Sequence, residues 1–153
     1  MCVAETSLNA IDRLLAIEQI RRLKARYFRC VDTKDWEGFG ALFLPDARFD
    51  ISADLPGGVF EGVTSIVRVA SEGLRGAVSV HLGHSPEIDV TSERAAEAIW
   101  AMEDRVLWDD SAAAPLRSLH GFGHYHETYE RREQRWQISS LRLTRLRVDL
   151  VHK

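Results

Sequence analysis

Between residues 77 and 149 the chain runs through four long apolar–polar alternations with nothing helical between them. No other stretch constrains the fold as strongly. The alternations cover 77–90, 94–108, 117–131 and 136–149, joined by Thr91-Ser92-Glu93, by residues 109–115 and by Glu133-Gln134-Arg135. Connections this short join antiparallel neighbours, since a parallel crossover needs about a dozen residues or more. Ahead of the strands lies an amphipathic segment over 9–31. Ile11, Leu14, Leu15, Ile20, Leu23, Tyr27, Phe28 and Val31 recur there at helical spacing, with Asp12, Arg13, Glu18, Arg21, Arg22, Lys24 and Arg26 filling the gaps. This spacing predicts a helix of about six turns. Asn9 is its expected N-cap, with Asp12 in the first turn, and Asp32-Thr33-Lys34-Asp35 ends it. A short helix over 36–43, stopped by Pro45, follows. Then come a strand at 47–51, a turn at Leu55-Pro56-Gly57-Gly58, a return strand at 59–61 and a third helix over 62–72.

Helices first and a meander afterwards define an α+β domain spanning 1–153. Strands this long, beside one long helix, are expected to curl around it into a cone whose open end is a pocket for a small molecule. Composition removes other classes. A formal net charge of -3 lacks the basic footprint of a nucleic-acid binder. Two cysteines, Cys2 and Cys30, are too few for a disulfide scaffold. No apolar run reaches the roughly 20 residues of a membrane span, and the N-terminus lacks the basic and apolar regions of a signal peptide. A cytoplasmic protein is expected.

The candidate functional residues are polar groups in unusual places. Tyr27 sits among the apolar positions of the long helix. Asp32 stands at that helix's C-terminal end, where the macrodipole disfavours a carboxylate. Both have ordinary readings, a core tyrosine and a turn aspartate. His81 shares a strand face with Ser79 and Gly83, whose small side chains leave room beside an imidazole suited to proton transfer. Arg145 shares a face with Leu141 and Leu143 and needs a partner there, for which Asp104 is a candidate. His124-Tyr125-His126 has metal-ligand spacing, with Glu130 four residues on, but no further motif completes a ligand set, so no metal site is assigned. Dinucleotide, P-loop and nucleophile-elbow motifs are absent.

Residues 25–32 (AlaArgTyrPheArgCysValAsp), 80–88 (ValHisLeuGlyHisSerProGluIle), 102–106 and 129–138 resemble the SnoaL-like branch of the nuclear-transport-factor-2-like (NTF2-like) superfamily. Within it the likeness is to bile-acid 7α-dehydratases and, more distantly, to scytalone dehydratase. The resemblance implies a long helix packed in a curved, mixed or antiparallel sheet with an internal pocket. It also implies four catalytic positions, Tyr27, Asp32, His81 and Arg145. Asp104, Phe49, Ile51 and Tyr125 are the substrate-binding candidates. Where those dehydratases carry a further tyrosine, this chain has Phe49, Asp50 and Ile51.

The activity so implied is a cofactor-independent dehydratase, a lyase acting on a hydrophobic cyclic hydroxy-ketone such as a steroid, polyketide or aromatic-pathway intermediate. His81 with Asp32 would be the base, Tyr27 the oxyanion donor and Arg145 an anchor for a substrate oxygen. The alternatives are a ketosteroid-isomerase-like double-bond isomerase and a non-catalytic small-ligand binding module. The resemblance also implies a homo-oligomer, trimer or dimer, formed through the exposed sheet face. Trp100 and Trp108 fit that interface and fit core packing equally well.

Overall fold

The computed structural model describes residues 8–153. The expectations for Cys2 and the first seven residues lie outside that range. Helix α1 (Ala10–Thr33) starts where Asn9 caps it, the Asn9 side chain accepting from the Asp12 backbone N–H at 2.9 Å. Its buried stripe is Ala16, Ile20, Leu23, Lys24, Tyr27, Cys30 and Val31. That is the expected helical period with two differences. Ile11, Leu14 and Leu15 are exposed, and Lys24 is fully buried. Lys34 ends the helix in the left-handed conformation, φ 62°.

Helix α2 (Trp36–Gly40) is shorter than the spacing predicted. Gly38 and Gly40 make a poor helix continuation, and the chain turns into strand β1 (Phe43–Asp50) before reaching Pro45. Proline is tolerated inside this strand because the pairing with its neighbour is irregular between Phe43 and Arg48. Strand β2 (Val59–Glu61) and helix α3 (Val63–Gly73) follow. Then come β3 (Ala77–Ser92), β4 (Ala95–Trp108), β5 (Leu116–Arg132) and β6 (Arg135–His152).

The six strands form one open sheet in the order β2-β1-β6-β5-β4-β3. All neighbours are antiparallel except β1 with β6, which are parallel. Helix α3 carries the chain from β2, at one edge of the sheet, to β3 at the other. The inner face takes alternate residues. Ser79 of β3, Ala98, Trp100, Met102 and Asp104 of β4, and Tyr125, Glu127 and Tyr129 of β5 are all buried. Val78, Val80 and Leu82 point outward and are exposed. Strand β3 breaks register between His84 and Glu87, with Ser85 at φ 37°. Trp100 is core rather than interface, its indole N–H donating to the Tyr129 hydroxyl at 3.0 Å. Among the described residues no helix is long and apolar enough to cross a membrane.

Candidate active site

The last turns of α1 and the inner face of β3 bring two of the expected residues into contact. Asp32 projects from the helix toward β3 and meets His81. Its Oδ1 lies 2.7 Å from His81 Nδ1, and its Oδ2 accepts the His81 backbone N–H at 2.9 Å. The Ser79 hydroxyl donates to Oδ1 at 3.0 Å, and Lys34 Nζ donates in turn to that hydroxyl at 2.6 Å. Three donors therefore fix this carboxylate, which outweighs its unfavourable place at a helix C-terminus. In the tautomer that donates Nδ1–H to this carboxylate, the imidazole lone pair is on Nε2. The two side chains keep 11% (His81) and 22% (Asp32) of their exposure, so solvent reaches them. The space over Gly83, expected to be open beside the imidazole, is taken by Phe28. A Cβ on Gly83 would stand 2.7 Å from that ring.

Tyr27 lies inside, packed edge-on to Phe28 and 6.1 Å between ring centroids from Tyr125. Burial, and then the charges of Glu127, Asp104 and Asp32, push its phenol well above the usual range, so it is a neutral donor at ordinary pH. Tyr125 is held neutral the same way, by burial first. Asp104 faces His81 directly across the β3–β4 ladder. Arg145 reaches Asp104 over the intervening strand β5, with Nη1 and Nη2 each donating at 2.8 Å. Gly121 makes this crossing feasible, because a Cβ there would collide with both Arg145 Nη1 and Asp104 Oδ1. Asp54, from the loop between β1 and β2, takes the other edge of the guanidinium at 2.8 and 2.6 Å. Burial opposes the charge on Arg145, but these two carboxylates outweigh it and raise its pKa.

The remaining candidates divide. Phe49 is core, stacked edge-on against Phe43. Ile51 opens the Asp54 loop and is half-buried. His126 bonds Thr144 at 3.1 Å, and Glu130 pairs with Arg132. Among the described residues no three ligand-type side chains come together to hold a metal ion. A groove of about 380 Å³ on the outer sheet face, bordered by Arg48, Glu97, Ile99, His126, Thr128 and Arg142, touches none of the four catalytic candidates.

Beneath the site runs a buried polar chain that residue type alone does not announce. Lys24 donates to Glu127, the Tyr129 hydroxyl donates to the other Glu127 oxygen, and the Trp100 indole donates to Tyr129. The Lys24 ammonium lies 3.8 Å from the Tyr27 ring centroid and 3.9 Å from that of Tyr125. The signal was present, since Lys24 falls on the Ile20–Tyr27 stripe and Glu127 has the parity of Tyr125 and Tyr129.

An N-terminal helix followed by an open six-stranded mixed sheet is the NTF2-like fold. Residues 12–142 match the SnoaL-like domain, and the chain belongs to that family. A protein named probable cyclase FGR4, from Gibberella zeae, is 28% identical over 137 residues, covering 83% of this chain and 89% of that one. Among solved structures, a putative scytalone dehydratase from Novosphingobium aromaticivorans superposes with a TM-score of 0.80 at 18% identity, over 95% of this chain and 93% of that one. A type 2 hexachlorocyclohexane dehydrochlorinase, LinA, superposes with a TM-score of 0.79 at 18% identity, over 94% and 93%. At these identities the structural likenesses establish the fold alone.

Proposed function

We propose that the protein is a dehydratase that removes water from a hydrophobic cyclic hydroxy-ketone, with His81 as the base. The observation that carries this reading is the His81–Asp32 pair, 2.7 Å apart on a solvent-reachable edge of an otherwise buried polar cluster. Elimination beside a ketone, or conjugated with one, passes through an enolate-like state. Someone must take a C–H proton, and His81 Nε2 is the free lone pair. Asp32 holds Nδ1–H and stabilises the imidazolium that forms. The Tyr27 hydroxyl, kept neutral by burial, donates to the carbonyl oxygen as charge develops there. The imidazolium then gives its proton to the departing hydroxyl, which leaves as water. The chain's own groups make each of these proton transfers.

Family membership and the names of the similar proteins support an enzyme that converts small molecules. Enolate formation also opens double-bond isomerisation and, as the name of the Gibberella zeae relative suggests, ring closure. Product analysis separates them, since only dehydration lowers the product mass by one water. Purified protein screened against hydroxy-ketone steroids and cyclic polyketide intermediates should turn over at least one. His81→Ala and Asp32→Asn should each lower kcat by about 10²–10⁴-fold. Turnover that survives both substitutions would remove His81 as the base.

A further inference from the structure

We propose that the Nε–Nη2 edge of Arg145 is a carboxylate-binding subsite, held in the free protein by Asp54, so that the substrate of this site carries a carboxylate. The proposal rests on the reading of His81 and its neighbours as the active site and adds the chemical class of what is anchored there. A guanidinium has five N–H groups, and all five of Arg145's are engaged. Nε and Nη2 donate to the two oxygens of Asp54, Nη1 and Nη2 to those of Asp104, and Nη1 also to Met102 Sδ at 3.4 Å. As it stands, Arg145 has no proton left for a substrate.

The two carboxylates are not equivalent. Asp104 is set on β4, paired on both sides by β3 and β5, with a side chain 7% exposed, seated beside Gly121. One unit charge is already balanced by that pair. Asp54 adds a second negative charge from an exposed loop, and its side chain is 27% exposed. The loop's backbone bonds are local. Asp54 N–H and Leu55 N–H donate to Ile51 O, Ile51 N–H to Gly58 O, and Gly58 N–H to Leu55 O. Gly57 turns at φ 73°, where a Cβ would meet nothing within 4 Å, and its carbonyl accepts from Val59 N–H, nearby in the chain, at 2.8 Å. The loop can therefore withdraw Asp54 without unpairing a strand.

Exchange selects the ligand. An incoming carboxylate replaces Asp54 oxygen for oxygen and charge for charge, and restores the side-on fork. A ketone or hydroxyl offers one neutral acceptor and leaves an N–H of the fork unpaired. Because Asp104 is the cross-strand partner of His81, a carboxylate seated on Arg145 holds the rest of the molecule close to the base.

The probe is cyclohexanecarboxylate, with methyl cyclohexanecarboxylate as the neutral match. Binding is followed by calorimetry and by the Arg145 Nε–H resonance. In the unaltered protein the acid should shift that resonance and the ester should not. In Asp54→Asn the acid should bind about tenfold more tightly or better, and the ester by less than about twofold. Equal acid affinity in the two proteins, an equal gain for the ester, or an unmoved resonance in the unaltered protein overturns the subsite. The resonance titration needs no variant, so it decides even if Asp54→Asn folds poorly. These readouts involve no turnover. A missing acid preference beside an inactive His81→Ala removes the subsite and keeps the base, and the converse pair removes the base and keeps the subsite.

Discussion

Lys24 and Glu127 are both shut away from solvent, and each makes the other tolerable. Burial pulls the Lys24 pKa down, and the Glu127 charge and hydrogen bond oppose that pull. The pair is also the floor on which Tyr27 and Tyr125 rest, so its loss would reach the site. Lys24→Met leaves a buried carboxylate without its cation and should cost about 3–5 kcal/mol. Lys24→Met combined with Glu127→Leu removes both charges and should recover most of that loss. Urea unfolding of the two proteins measures the difference. Equal destabilisation by the single and double changes would mean that lost packing, rather than an unpaired charge, sets the cost. Neither member was legible as buried by residue type, since lysine and glutamate are rarely interior. Their positions in the helical and strand periods carried the information instead. Asp32 and His81 were legible through their matching positions in a resembling family, and their contact is a 49-residue-distant pairing that only folding produces.

At the scale of elements, the contact of α1 with β3 positions the candidate base. The helix ends where Lys34 turns left-handed, and its last turns lie along the small-residue face of β3. Gly83 lets the Phe28 ring settle against the strand. Gly83→Ala places a methyl 2.7 Å from that ring and 3.4 Å from Trp100. Helix and strand must separate to accept it, at a cost of about 1–3 kcal/mol. The fall in urea midpoint checks the cost. A midpoint within error of the parent would show that Phe28 moves freely and does not set the spacing. The strands matched their expected spans closely because a period of two is unambiguous over 14 to 18 residues. The short pieces at 36–51 did not, because Pro45 reads as a helix stop and also fits an irregular strand.

At the scale of the molecule, the chain's three tyrosines, Tyr27, Tyr125 and Tyr129, are all buried. Burial raises each phenol well above the ordinary 10. The folded state therefore favours the neutral phenol more than the unfolded chain does. This contribution to stability is complete below pH 10 and is lost as pH climbs above it. Absorbance at 295 nm should stay flat through pH 10 and then rise in one step that coincides with loss of far-ultraviolet dichroism. A rise before unfolding would show that at least one phenol is open to hydroxide. The amino-acid order by itself determined the helix, the four-strand meander and, through its family likeness, the positions of Tyr27, Asp32, His81 and Arg145. Periodicity carries the helix and the meander, because which face a residue takes is a local property of helix and strand; the four site positions come from the likeness alone. The burial of Lys24 against Glu127, the crossing of Arg145 over Gly121 to Asp104, and the approach of Asp54 were decided only by tertiary structure. Each joins residues tens of positions apart, and the strength of a charge pair depends on a distance and a degree of burial that no local pattern contains.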